Sequence, residues 1–243
     1  MPTKEELERA AARDRGSDVH LRAAAQLREY EVAVERIVAD RPGRLLDWGC
    51  GFGQLSHMLK QRGLDVTSIE WHPDIPEGEV RRLERYPDVE ARYTQEPVKL
   101  PYDDASFDAV LSMGVLEHVH DPDGSLDELH RILVPGGRLY VYKLPNEHSY
   151  LEAIAKRAGF YYHGQLEHDR LYTPPTARAL IERHGFTVES VAAANMLPLG
   201  LTAPVAQRPR FVAGYWALNR ALARVPGLNR LATNVELIAR RVP

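Results

Sequence analysis

The sequence predicts an α/β fold, a doubly wound sheet of seven mainly parallel strands with helical cap segments. Two observations predict it. Short apolar runs alternate with helical patterns along residues 41–145, which is typical of βαβ units and a parallel sheet. A glycine-rich turn also ends the first apolar run, as expected where a parallel strand passes into a helix.

The individual elements follow from hydrophobic periodicity. Residues 1–40 show apolar residues at helical spacing, which predicts one or two N-terminal helices. Strands are predicted at Arg44–Asp47, Val66–Glu70, Ala91–Thr94, Ala109–Met113 and Arg138–Leu144. The intervening stretches predict helices at Gln54–Arg62, Ile75–Tyr86 and Ser125–Leu133.

The chain after residue 145 has a different pattern. Residues 145–175 are irregular and rich in His and Tyr, which indicates a functional loop or lid. A helix is predicted at Thr176–His184 and a strand at Thr187–Ala192. The alternating segment Asn234–Arg241 predicts a final strand at the edge of the sheet. We expect one domain over 1–243, with residues 146–243 providing the loop, lid and C-terminal strands.

The composition is that of a globular protein. The net charge of −3 gives no overall attraction to nucleic acid or an anionic membrane. No stretch approaches the roughly 18 apolar residues of a spanning helix, and the N-terminus lacks the apolar core of a secretory signal. The single cysteine, Cys50, and the lack of a zinc-type Cys/His spacing favour a reducing compartment. We therefore expect a cytoplasmic protein.

The glycine-rich turn gives the clearest indication of a ligand. Asp47 precedes three glycines in the pattern D-x-G-x-G-x-G, unlike the G-x-G-x-x-G of dinucleotide sites. A carboxylate there would repel a pyrophosphate but suits a sulfonium and an amino group. Glu70 ends the second predicted strand, where it can accept two hydrogen bonds from a ribose diol. These residues favour S-adenosylmethionine over NAD.

Four segments in the same order resemble class I, Rossmann-like methyltransferases, particularly the type 11 branch that includes quinone methyltransferases. They are LLDWGCGFG (45–53), TSIE (67–70), LPYDDASFDAVLSMGVLEHVHDP (100–122) and LHRILVPGGRLYV (129–141). Together they span roughly residues 40–145. The resemblance implies an S-adenosylmethionine-dependent enzyme with a small-molecule acceptor.

The resemblance also implies which residues bind the cofactor. Glu96 stands where the family usually has an Asp that contacts the adenine amine, so it departs from the pattern. Cys50 lies in the ligand turn as a small space-filler, not as a nucleophile. The cofactor-binding residues are expected to be Asp47, Gly49, Cys50, Gly51, Glu70, Trp71, Glu96, Met113, Gly114 and His118.

The acceptor site is predicted from chemistry. Methyl transfer is an in-line displacement, so the protein mainly orients the acceptor and excludes water. A hydroxyl acceptor gains from a base that removes its proton. We expect His168 and His163, then His148, to act as base or acceptor ligand, with Tyr161 and Tyr162 lining the pocket. The acids and histidines of this loop have no diagnostic metal spacing, and we expect no metal.

The expected reaction is O-methylation of a hydroxyl on a sugar-bearing or phenolic metabolite. C- or N-methylation of a quinone, lipid-linked or amine substrate is the alternative enzyme activity. A non-catalytic scaffold that binds S-adenosylmethionine is the alternative from another class. Nucleic acid is not an expected partner, because the segment Ser112–Val115 lacks the motif that handles a flipped base. The sequence does not indicate an oligomeric state.

The C-terminal segment is locally basic. Residues 206–241 contain seven arginines and one acid, Glu236. Within Phe211–Val225 the apolar residues form a helical stripe. Such a segment, 207–232, could contact a membrane surface or a lipid-linked substrate. We favour a helix packed on the core as a lid.

Overall fold

The computed structural model describes residues 22–159, 163 and 169–242. The strands in this part of the chain are β1 (Arg44–Trp48), β2 (Asp65–Trp71), β3 (Val80–Arg82), β4 (Glu90–Thr94), β5 (Phe107–Met113), β6 (Leu133–Pro145), β7 (Phe186–Ala194) and β8 (Asn234–Arg241). The α-helices are α1 (Ala24–Asp40), α2 (Gln54–Lys60), α3 (Pro122–Ile132), α4 (Tyr150–Ala158), α5 (Pro174–Glu182) and α6 (Pro209–Ala223). Short 3-10 turns flank α6 at Pro204–Gln207 and Leu228–Leu231.

One sheet contains all eight strands, in the order β3-β4-β2-β1-β5-β6-β8-β7. Strands β1, β2, β4, β5 and β6 pair in parallel, whereas β3, β7 and β8 pair antiparallel with their neighbours. The chain direction across the sheet reverses between β1 and β5. In open α/β sheets such a switch point leaves a crevice at the carboxyl ends of the strands. The predicted fold class is confirmed, with β3 as an additional short edge strand.

The predicted helix at Ile75–Tyr86 is wrong. This stretch consists of turns and β3, which pairs antiparallel with β4. The Gly78 N–H donates to the Tyr93 carbonyl, and the Tyr93 N–H donates to the Glu79 carbonyl. Gly78 also has a φ of 75°, which a helix does not contain. Pairing with β4 therefore replaces the helix that the apolar spacing indicated.

Strand β8 forms at the predicted residues, but its predicted place at the edge is wrong. It pairs with β6 on one side and with β7 on the other, which leaves β7 at the edge. Val235, Leu237 and Ala239 of β8 are almost completely buried. Alternation of apolar residues identifies a strand, but it does not specify the strand's neighbours.

Two apolar layers hold the helices on opposite faces of the sheet. On one face, Leu126 and Leu129 of α3 pack with Ile181 of α5 against the strands. On the other face, Ile37 of α1 packs with Tyr140 of β6. Of the predicted N-terminal helices the structure describes α1, and residues 1–21 lie outside the described part. No described helix has the length and apolarity needed to cross a bilayer.

Helix α6 buries one polar residue against the rest of the fold. Asn219 is the buried residue of this helix, and its Oδ1 accepts hydrogen bonds from the Met196 and Leu197 N–H groups at 2.7 and 2.9 Å. Its Nδ2 donates to Asn195 Oδ1 at 3.1 Å. The predicted apolar stripe does not pack as a unit, because Leu218 is 51% exposed. The helix contacts α1 and β7 but leaves apolar surface outward.

Candidate active site

A cavity of about 320 Å³ lies at the switch point, at the carboxyl ends of β1, β2, β4 and β5. That volume is at the lower end of the range for small-molecule sites. Its lining residues are Trp48, Gly49, Gly51, Ile69, Glu70, Trp71, Thr94, Glu96, Pro97, Leu100, Gly114, Val115, His118, Val119 and His120. The cavity therefore contains seven of the ten predicted cofactor residues, all except Asp47, Cys50 and Met113.

The glycine turn after β1 forms one wall of this cavity. Gly49 has a φ of 74° and Gly51 a φ of 52°, a left-handed backbone that favours glycine. A Cβ at Gly49 would lie 2.5 Å from Val115 Cγ2, so the turn packs too closely for any side chain. A Cβ at Gly51 would meet no described atom within 4 Å. Gly51 therefore offers bare backbone to the open cavity.

Asp47 lies beneath the turn, not in the cavity wall. It is 2% exposed and accepts a hydrogen bond from the Ser56 hydroxyl at 2.5 Å. The Ser56 and Ser68 hydroxyls are 2.8 Å apart, so the carboxyl belongs to a small buried polar chain. Burial raises the pKa of Asp47 to about 6, against the hydrogen bond from Ser56. A cation bound above the turn would favour the ionised carboxylate.

Glu70 is the penultimate residue of β2, and its side chain reaches the same turn. Its Oε2 accepts a hydrogen bond from the Gly51 N–H at 2.6 Å. Burial raises the pKa of Glu70 to about 7, and the negative charge of Asp47 adds to the increase. Trp71 follows, with its indole N–H donating to the Gln95 carbonyl at 3.1 Å. A bound cation at this end of the cavity would favour the ionised form of both carboxyl groups.

The opposite wall is formed by the turn after β4. The Glu96 N–H donates to Thr94 Oγ1 at 3.1 Å, and the Glu96 side chain is exposed at the cavity. Glu77 Oε2 holds this turn by accepting from Thr94 Oγ1 at 3.2 Å and from the Gln95 N–H at 2.7 Å. These hydrogen bonds fix the backbone turn from which Glu96 reaches the cavity.

Met113 and Cys50, two further predicted cofactor residues, do not line the cavity. Met113 packs against the apolar layer beneath α1 and α2. Cys50 is a buried free cysteine, and burial raises the pKa of its thiol. Its backbone N–H donates to the Ile69 carbonyl at 3.0 Å, alongside that of Gly49. Cys50 therefore contributes to the turn through its backbone, whereas Met113 is the last residue of β5.

The segment after β5 brings ionisable groups beside the cavity. Glu117 is 2% exposed, and its Oε2 has no hydrogen-bond partner within the described part of the chain. Burial raises the pKa of Glu117, against the charges of His118 and His163. His118 Nε2 lies 3.9 Å from Glu117 Oε1, and the His118 ring also lines the cavity. A buried carboxyl with a free oxygen is a candidate proton acceptor.

His163 completes this group. Its ring stacks on that of His118 with centroids 6.0 Å apart, and its Nδ1 lies 2.9 Å from Glu152 Oε1. Burial opposes a charge on His163, but the hydrogen bond and charge of Glu152 raise its pKa overall. One nitrogen or oxygen atom each of Glu117, His118 and His163 lies within 4.8 Å of the others. His163 does not line the cavity itself but stacks on His118, which does.

The remaining predicted acceptor residues fall elsewhere. His148 is exposed in the turn after β6 and is not a lining residue of the cavity. His168, Tyr161 and Tyr162 lie outside the described residues. The structure therefore brings one of the three predicted histidines, His163, to the site.

A second charged cluster, between α1, β6 and β8, was not predicted from the sequence. Lys143 has a φ of 64° at an irregularity in β6, and its Nζ lies 3.8 Å from Glu29 Oε2. The same ammonium lies 5.4 Å from the Tyr30 ring centroid. Burial raises the pKa of nearby Glu236 to about 8. No local pattern could have identified this cluster, because its residues are far apart in the chain.

The apolar lining was also missing from the sequence prediction. Trp48, Ile69 and Val115 lie next to predicted ligand residues in the chain and face the cavity. Their position beside motif residues at strand ends was the available signal. They give the site the apolar walls that an aromatic base or a ring-shaped acceptor requires.

The sheet, the switch-point cavity and the acid–glycine turn define a Rossmann-like cofactor-binding protein of the class I type. Residues 46–141 match the family model described as a methyltransferase domain. The resemblance stated from the sequence is confirmed over this part of the chain.

Two curated relatives and one solved structure show the extent of the similarity. The ubiquinone biosynthesis O-methyltransferase of Xylella fastidiosa is 40% identical over 99 residues, which are 40% of each chain. The demethylmenaquinone methyltransferase of Thermus thermophilus is 35% identical over 124 residues, 50% of this chain and 56% of that protein. The chain thus matches about half the length of these relatives or less.

The structural similarity extends over the whole chain. The 1,6-didemethyltoxoflavin-N1-methyltransferase of Burkholderia thailandensis, solved with S-adenosylhomocysteine, has a TM-score of 0.57 and 19% identity. The match covers 100% of this chain and 92% of that one. At this identity the match establishes the shared fold.

Proposed function

We propose that this protein is an S-adenosylmethionine-dependent methyltransferase that acts on a small-molecule acceptor. The observation that carries the proposal is the bare backbone of Gly51, which faces the cavity beside the carboxyl group of Glu70. A Cβ at this position would occupy the space that a ligand needs.

The residues present fit this cofactor. Glu70 would bind the ribose hydroxyls, and Asp47 would compensate the positive charge of the methionine part through the turn. Ile69, Trp71 and Leu100 give the apolar surface that an adenine ring requires. When bound, S-adenosylmethionine would supply an activated methyl group, so the protein's own task is to orient the acceptor and exclude water.

The finer proposal is O-methylation, with Glu117 as the proton acceptor. Glu117 has a free carboxylate oxygen, and its neighbour His118 lines the cavity. A hydroxyl that loses its proton to Glu117 becomes a stronger nucleophile. His163, held by Glu152, would stabilise the ionised form of Glu117 and contact the acceptor from the outer side.

C-methylation of a quinone-related ring is the second candidate. The names of the two relatives support an aromatic acceptor of this kind, and one of them is not named as an O-methyltransferase. Mass spectrometry of the methylated product, with the acceptor hydroxyls blocked in a parallel reaction, separates the two. We expect turnover to persist after exhaustive chelation, in line with the expectation of no metal.

Cofactor binding is tested with a matched pair of glycine variants. Gly51 and Gly63 both have positive φ, and a Cβ at either would meet no described atom within 4 Å. Only Gly51 lines the cavity. Titration calorimetry should show that Gly51→Ala lowers the affinity for S-adenosylmethionine at least tenfold, whereas Gly63→Ala keeps it.

Two results would overturn the cofactor assignment. The folded wild-type protein could fail to bind S-adenosylmethionine, or both alanine variants could lose affinity equally. Binding without methyl transfer to any phenol, quinol, sugar or amine in a broad panel would favour the scaffold alternative.

The proton acceptor is tested by Glu117→Gln, which keeps the size of the side chain. We expect kcat to fall at least 100-fold for hydroxyl acceptors, a typical contribution of a general base, with unchanged cofactor affinity. The loss should shrink for an acceptor hydroxyl that is already ionised at the assay pH. An equal loss for both acceptors would indicate a structural role for Glu117.

A further inference from the structure

The outward side of residues 204–231, called here the α6 surface, carries positive charge without negative charge. The chain has no Asp or Glu from residue 190 to residue 235. Five arginines of this stretch are exposed, and none of them forms a salt bridge with a described residue: Arg208, Arg210, Arg220, Arg224 and Arg230. Their charge is therefore available to an external partner.

Apolar side chains are exposed between these arginines. Val205 is 52% exposed, Leu218 51%, Val225 44% and Leu231 42%. Between Arg210 and Arg220 the outward face of α6 presents small residues only, Ala213, Gly214 and Ala217, beside Leu218. A surface that combines unpaired cations with exposed aliphatic groups fits the interface of an anionic bilayer.

The α6 surface borders the edge of the sheet that holds the cavity. Asn146 follows β6 at that edge, and its Nδ2 donates to the carbonyl groups of Arg230 and Ala232 at 2.8 and 2.6 Å. Asn195, which follows β7 at the same edge, accepts from Asn219 of α6. A partner on the α6 surface would therefore lie beside the acceptor end of the site.

We propose that the α6 surface docks on an anionic lipid bilayer, with its arginines at the headgroups and its exposed aliphatic residues in the interface. The docked protein takes its acceptor from the membrane. This second step rests on the proposed function, whereas docking is independent of it. A bilayer fits better than RNA. The aromatic pair Phe211 and Tyr215 is half-buried and stacked on itself, with ring centroids 5.5 Å apart, so it offers no platform for bases.

Docking is tested by co-sedimentation with vesicles in the absence of cofactor and acceptor. The full chain should bind vesicles that contain phosphatidylglycerol, should not bind pure phosphatidylcholine, and should dissociate as salt is raised. Arg210→Glu and Arg220→Glu should each lower the partition coefficient about fivefold or more. Leu218→Asp should lower it by a similar factor.

Arg62→Glu is the matched control, because Arg62 is exposed just before β2 at the opposite edge of the sheet. It makes the same change in net charge and should leave partitioning unchanged. All variants should bind S-adenosylmethionine as the wild type does, which reports that they are folded. Failure of cofactor binding in the wild type would contradict the proposed function but not docking.

Several results would overturn docking. The protein could fail to bind anionic vesicles, or could bind vesicles regardless of lipid charge. Arg62→Glu could also weaken binding as much as Arg210→Glu does. Tighter binding of single-stranded RNA than of vesicles, abolished by Arg210→Glu, would assign the surface to nucleic acid instead. A dimer in sedimentation velocity that dissociates in Leu218→Asp, without vesicle binding, would assign it to a second copy of the chain.

Discussion

The cofactor half of the molecule, residues 44–118, and the C-terminal half, residues 133–242, build their functional surfaces in different ways. In the cofactor half, backbone groups hold the glycine turn, since the Gly49 and Cys50 N–H groups donate to the Ile69 carbonyl of the next strand. In the C-terminal half, side chains distant in sequence meet. They also meet side chains of α1, since the Asn195 amide donates to Glu29, 166 residues earlier in the chain.

The two kinds of site respond differently to mutation. A backbone site depends on conformations that only glycine adopts at low cost, so substitutions there remove the site. A side-chain site such as the Glu29–Lys143 pair depends on single contacts, and loss of Lys143 would leave the buried Glu29 carboxylate without its compensating charge.

The largest effect is expected for Gly49→Ala in the cofactor half. Its Cβ would lie 2.5 Å from Val115 Cγ2, on a backbone with a φ of 74°. Overpacking and backbone strain together should lower the affinity for S-adenosylmethionine about 100-fold, as measured by calorimetry.

The double variant Gly49→Ala/Val115→Ala separates the two causes. Removing the Val115 methyl groups relieves the clash but not the strain, so we expect about tenfold recovery of affinity. Val115→Ala alone is the reference, because Val115 also lines the cavity. No recovery in the double variant would show that backbone strain alone accounts for the loss.

An intermediate effect is expected for Asn219→Ala in the C-terminal half. The change leaves the Met196 and Leu197 N–H groups without their acceptor. Unfolding in urea should show a loss of about 2–4 kcal/mol, typical of unsatisfied buried donors. Asn229→Ala on the half-buried 3-10 turn is the control and should change stability by less than about 0.5 kcal/mol. A parallel loss of cofactor affinity would show that the two halves are coupled.

The smallest effect is expected from pH through Asp47. Burial raises its pKa from an ordinary 3.8 to about 6, so the folded protein holds this proton more tightly than the unfolded chain. The stability from Asp47 is complete below its unfolded pKa and is lost as pH rises through 6. Asp47→Asn should therefore gain about 1 kcal/mol relative to the wild type between pH 5 and pH 8.

Urea unfolding of both proteins at several pH values, without cofactor, measures this difference. Saturating S-adenosylmethionine should reduce it, because a bound cation favours the ionised carboxylate. A gap between Asp47→Asn and the wild type that stays constant with pH would contradict the raised pKa.

The sequence predicted the cofactor half better than the C-terminal half, because local motifs encode backbone turns but not contacts between distant side chains. Gly51 lies in the turn after β1 and Glu70 near the end of the neighbouring strand β2, so local motifs were enough to predict that both residues would lie at the cavity. Glu117 is not among the predicted site residues, because only the fold shows that its carboxyl group is buried with one oxygen unpaired in the described part of the chain. His148 was expected near the acceptor but is exposed in a turn away from the cavity.

The sequence by itself determined the α/β class, the acid–glycine turn and the acid at the end of β2. These features depend on backbone conformation and on residues at the ends of adjacent strands, which local patterns encode. Only the tertiary structure decided that β8 lies inside the sheet, that Lys143 meets Glu29, and that Leu218 faces outward. Those outcomes depend on which distant surfaces pack together, and periodicity along one segment carries no information about its partner.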